Sequence, residues 1–240
     1  MRGMDTSTSM KIQFLAVDEQ YGKCFDPPVP ASSLLPQWYK EQDLWVNGEK
    51  QIMENGKYPA TVKNCMPVLD CVTAGYVLSL PSDLHVRENT PDNLSTVWPV
   101  DYQLIESHSA EQISSFVVDD IWNPAVLKLV NRWVIKTPPG YSTMFLSPMW
   151  RTDYRFQAFC GIVDTDTFPR PVNFPFVVRK DFVGTIENNT PFVQLIPFKR
   201  DEWETEIGVV SEEDENLWTR ATRSSAHVYK NNFRTLKRWG

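Results

Sequence analysis

The chain has 240 residues, 42% hydrophobic and 12% aromatic, enough for a substantial core, so general disorder is excluded. A net charge of −6 with a pI near 5.2 argues against a surface that binds duplex nucleic acid by neutralising phosphates. No run approaches the roughly 18 apolar residues of a membrane span, so no membrane partner is expected. The start, MRGMDTSTSMKIQFLAV, carries no small-residue cleavage site, which predicts no secretory leader and a cytoplasmic setting.

In chain order, residues 1–9 are expected to be disordered, and residues 1–60 read as an extension packed on a β domain. Trp38, Tyr39 and Trp45 anchor that extension, and a helix is expected from near Ser33, with Pro36 in its first turn. Eighteen prolines against ten glycines punctuate the apolar runs that follow, a spacing short strands tolerate and long helices do not. Residues 61–203 are therefore read as a mainly β domain, a distorted barrel or jelly-roll. The expected strands of the chain are Lys11–Val17, Cys71–Leu80, Thr96–Ile105, Arg132–Lys136, Ser142–Leu146, Arg155–Val163, Val172–Val178, Phe182–Ile186 and Phe192–Phe198. Runs such as VNFPFVV predict strands buried on both faces, and residues 81–131 read as a polar insertion. The last element is an amphipathic helix over 211–238. It has Ser211 as N-cap, Glu212, Glu213 and Asp214 in its first turn, and Lys230, Arg234, Lys237 and Arg238 at its end.

Cys24, Cys65, Cys71 and Cys160 lack zinc-type spacing and read as reduced core thiols. His85 and His108 read as surface residues, and no serine or cysteine nucleophile motif accompanies either of them or His227. No metal and no cofactor are expected.

Four short motifs follow one another: AGYVL at 74–78, TPPGY at 137–141, GIVDTD at 161–166 and NTPFVQL at 189–195. In that order they resemble the dUTPase and dCTP-deaminase superfamily, a β-clip fold, over residues 71–200. The resemblance implies Asp164 as the water-activating carboxylate and Gln194 as a phosphate contact. Ser147, Arg151, Asp166 and Tyr141 are implied as further ligand contacts, with a site formed between subunits of a trimer and Mg²⁺ serving the nucleotide. The departures are substantial: Val77 stands where the family has an aspartate, and Thr167 where it has a deoxyribose-packing tyrosine. LSPMWR has lost the order of the family's PRSG segment, Thr190-Pro191 replaces a charged pair, and no glycine-rich arm follows residue 200. The stretches LPQWYK, CMPVLDCVTAGYVLSLPSDL and KTPPGYSTMFLSP resemble a family of uncharacterised tailed-bacteriophage and bacterial proteins. That resemblance implies a setting in host cytoplasm or virion and no activity.

Triphosphate hydrolysis needs a carboxylate to orient water, cations to neutralise phosphate, and donors to hold the chain in line. Only the carboxylate has a candidate. Asp164 and Asp166 read first as turn residues, since aspartates bond amides two residues on. The expectation is a non-catalytic binding or assembly protein, as homo-oligomer or with another protein. The alternative is a nucleotide-binding or nucleotide-hydrolysing protein with a degenerate site.

Overall fold

The computed structural model describes residues 10–48, 60–90, 92–113, 120–224 and 227–239, and the expected disorder of residues 1–9 lies outside them. The chain forms two compact units, residues 1–29 with 75–200 and residues 30–74 with 201–240, so the 1–60 segment is shared between them. In chain order the elements begin with β1 (Gln13–Ala16), α1 (Glu19–Cys24), β2 (Val29–Pro30), α2 (Gln37–Glu41) and α3 (Met66–Val72). The strands β3 (Tyr76–Ser79), β4 (Leu84–Thr90), β5 (Asn93–Val97), β6 (Ile105–Ser107), β7 (Leu127–Leu129) and β8 (Trp133–Lys136) follow. The last are β9 (Tyr141–Leu146), β10 (Phe156–Ala158), β11 (Gly161–Val163), β12 (Phe174–Val178), β13 (Gly184–Ile186), β14 (Pro191–Lys199) and then α4 (Glu212–Ser224).

The first unit is mainly β. One sheet includes β11-β9-β14-β3 in that order, a second runs β10-β12-β7-β6, a third β13-β4-β5, and β1 pairs with β8. Among the described residues none of these sheets closes on itself, so open sheets replace the expected barrel. Closure would give every strand two neighbours, whereas β5, β6, β10, β11 and β13 each end a sheet. Residues 81–131, expected as a polar insertion, supply β4 to β7 and bury Leu84, Val86, Leu104, Ile105 and Leu129 in the core.

The FPFVV run makes β12 a central strand between β10 and β7, which explains its near-continuous apolar character. Its Phe176 meets Phe192 edge-on at 5.1 Å, and Phe192 stacks on Phe156 at 4.7 Å. Gly75, at φ +63°, lets β3 lie against β14. A Cβ there would stand 1.9 Å from the Leu195 carbonyl oxygen, so the AGYVL motif needs its glycine for close approach.

Several expected strands differ in extent. Cys71–Leu80 divides: Cys71 and Val72 end α3, started by a proline in its first turn, and the strand begins only at Tyr76. Thr96–Ile105 breaks after Val97, where the Trp98 indole N–H bonds the Tyr102 carbonyl at 2.9 Å and closes a turn. Arg155–Val163 splits into β10 and β11, which belong to different sheets. The four cysteines form no disulfide, but Cys24, Cys65 and Cys160 are exposed and Cys71 is half-buried, which corrects the expectation of core thiols. Short helices and loop ends place them outside the tightly packed strands.

The second unit packs Tyr39, Val68 and Val72 against Leu35, Trp38, Val62 and Leu69. The helix expected from Ser33 is a single 3-10 turn, Ala31–Leu34, followed by α2. Asp70 on α3 accepts from Arg234 and Lys237, each at 2.8 Å. Ser211 caps α4 as expected, its hydroxyl accepting from the Asp214 amide at 3.1 Å. The helix expected over 211–238 instead ends at Ser224, and a π-helical turn follows at Tyr229–Phe233. Among the described residues no helix is long and apolar enough to cross a membrane.

Candidate functional site

The GIVDTD and TPPGY motifs meet. β11 pairs antiparallel with β9, Val163 opposite Thr143, so the turn after β11 lies beside the start of β9. Buried Thr165 locks the two together: its hydroxyl lies 2.8 Å from both the Thr137 and Thr143 hydroxyls. On either side of Thr165 the two aspartates project toward Arg200, one residue past the end of β14, whose Lys199 is opposite Tyr141.

The result is an ion-pair cluster. Asp166 accepts from the Gly140 amide at 2.8 Å and from both terminal nitrogens of Arg200, at 2.5 and 2.9 Å. Asp164 accepts from the Ser142 hydroxyl at 2.6 Å and from Arg200 at 3.2 Å. One Arg200 nitrogen also reaches the Ser142 hydroxyl at 3.0 Å and the Tyr141 carbonyl at 3.2 Å. The Arg200 guanidinium beside Asp166 holds its carboxyl down to about 2, and that pairing pushes the guanidinium up in turn. Asp166 is nearly enclosed, its side chain 6% exposed, whereas that of Asp164 is 63% exposed. Asp166, so paired, is a poor general base, and the Arg200 guanidinium that would meet a phosphate is engaged by both carboxylates.

Of the residues singled out in the sequence, Asp164 and Asp166 come together here, and Tyr141 joins them through its backbone carbonyl. Gln194, Ser147 and Arg151 do not join them. Gln194 is opposite Leu146, four residues along β9 from Ser142, so the two places lie about 13 Å apart at ordinary strand rise. Gln194 is buried, and its side-chain oxygen accepts from the Met149 amide at 2.8 Å. Ser147 donates to the Ala158 carbonyl at 2.9 Å. Arg151 is half-buried, and that burial pushes its guanidinium down. These three therefore shape the loop after β9. The parts played by Arg200, Ser142 and Gly140 carry no local signal in the sequence, because the pairing joins residues 22 to 36 apart with no spacing rule.

A second concave place is a crevice of about 510 Å³ beside α1, lined by Asp18, Tyr21, Phe25, Asp101, Tyr102 and Arg132 among others. Arg132 lies over the Tyr21 and Tyr102 rings at 5.5 and 5.8 Å and pairs with Asp18 at 2.7 Å, while its buried Nε has no hydrogen-bond partner among the described residues. Burial pushes the Tyr21 phenol up to about 12. His85 bonds the Thr185 hydroxyl at 2.8 Å within the β4–β13 pair and is not a plain surface residue. Among the described residues no group of three His, Cys, Asp or Glu side chains is placed to hold a metal ion.

Compared with protein-family models, with curated proteins and with solved structures, the chain matches none.

Proposed function

We propose that this chain is a non-catalytic binding or assembly module, phage-associated and built on a dUTPase-like framework. The observation that carries the reading is the occupied state of the carboxylates: Arg200 pairs with both Asp164 and Asp166, and Ser142 and the Gly140 amide take further lone pairs. Phosphate neutralisation supplies several kcal/mol of transition-state stabilisation in triphosphate chemistry, and the cluster keeps its one cation for itself. The large apolar side chains left exposed after residue 200 support work done through the surface.

A second reading, a nucleotide binder, draws on the exposed Asp164 carboxylate at the end of β11. Thermal denaturation with a panel of nucleoside triphosphates and Mg²⁺ separates the two. A ligand at 100 times its dissociation constant adds about 2.7 kcal/mol of stability. The module reading expects no shift with any of them; a shift with one base and not the others would replace it with the nucleotide reading.

A further inference from the structure

The loop between β9 and β10 contains a tight turn held from two sides. The Arg151 amide donates to the Pro148 carbonyl at 3.2 Å, and Gln194, buried on β14, accepts from the Met149 amide at 2.8 Å. Trp150 closes the turn at φ +56°, a left-handed conformation that is costly for a residue with a bulky side chain. The turn thereby presents the next residue, Arg151, in a fixed place.

The charge of Arg151 sets it apart. Among the described residues, the other half-buried arginines each meet an acid: Arg132 meets Asp18, Arg155 meets Asp153 and Glu187, Arg179 meets Asp181, and Arg234 meets Asp70. Arg151 meets none. One of its terminal nitrogens is enclosed without a hydrogen-bond partner, and burial pushes the guanidinium down with no carboxylate to offset it. The acid nearest in sequence, Asp153, is already held by Arg155 at 2.7 and 2.9 Å. A guanidinium taken partly out of water without a counter-charge is unfavourable, and a carboxylate set against its open edge would offset that cost. The side chain is only half-buried, so an incoming group can reach that edge.

We propose that residues 147–154 form a protein-docking surface on which Arg151 takes a carboxylate, an Asp or Glu side chain, from an acidic segment of a partner. The inference rests on the binding-module reading and names the partner's chemistry. One planar guanidinium matches one carboxylate in charge and in shape. A phosphate dianion calls for a second cation, and Arg155, four residues on, is committed to two acids. Trp150 and Tyr154 of the same loop stand 51% and 65% exposed. Trp, Tyr and Arg are the residues that most often anchor one protein on another.

The experiment probes an array of short random peptides with the full wild-type chain, with Arg151→Met, and with Arg87→Met as a control on exposed Arg87 of β4. Peptides held by the wild type are expected to share an Asp or Glu whose replacement by its amide weakens binding at least about tenfold. Arg151→Met is expected to lose the same factor and to bind acid and amide versions alike, while Arg87→Met binds as the wild type does. Without peptide, Arg151→Met is expected to melt no lower than the wild type, because no internal partner is lost and the methionine keeps the apolar stem. An array with no acid-dependent peptide, or an acid preference that survives in Arg151→Met, would overturn the proposal. A clear fall in melting temperature would overturn it too, by making the role of Arg151 structural. So would displacement of the peptides by inorganic phosphate at concentrations where acetate leaves them bound. None of these outcomes bears on triphosphate hydrolysis, whose detection would instead remove the module reading.

Discussion

Asp166 is where charge and fold are most tightly linked. Its carboxyl falls from an ordinary 3.8 to about 2, chiefly through Arg200. The folded value lies below the unfolded one, so the stabilisation is complete above about pH 4 and is lost as pH falls through about 2. Melting temperature measured across that window should drop more steeply for the wild type than for Asp166→Asn, which has no proton to take up there; parallel curves would contradict the pairing. Gly75 gives a second residue-scale expectation. Gly75→Ala forces a side chain onto the Leu195 carbonyl at positive φ. It should cost at least about 2 kcal/mol in urea denaturation. At this scale the sequence was informative where a residue's role is local. Ser211 as a helix cap could be read directly. The Arg200 pairing could not, because charge partners set by strand register leave no trace in neighbouring residues.

Among the elements, long apolar strands were the legible ones. β14 and β12 were found nearly to their ends, since buried runs bounded by turns carry a strong pattern. Continuous readings failed where a chain changes sheet, as between β10 and β11, because nothing in Phe159-Cys160 signals the crossing. α3 was missed because its apolar residues suit either a short helix or a strand. Packing predicts that Phe192→Ala, which removes the ring between Phe156 and Phe176, costs about 3–5 kcal/mol. Equilibrium denaturation measures it, and a loss under about 1 kcal/mol would mean the stack is not close-packed. In the second unit, Asp70 holds Arg234 and Lys237, and those cations, Arg234 first, keep its carboxyl below the ordinary range. Asp70→Asn should speed amide exchange over residues 229–239 while leaving β9 and β14 unchanged.

For the whole molecule, a β-rich character was readable from proline spacing, but the open sheets and the division into two units were not. Composition has no term for which strands find a second neighbour. The reading of this chain as a module without chemistry depends on its best-placed acids sharing Arg200 within the chain. Pyrophosphate release from each base-bearing triphosphate with Mg²⁺, by wild type and by Asp164→Asn, tests this most directly. The prediction is release at the buffer rate for both proteins. Release by the wild type that Asp164→Asn abolishes would contradict it.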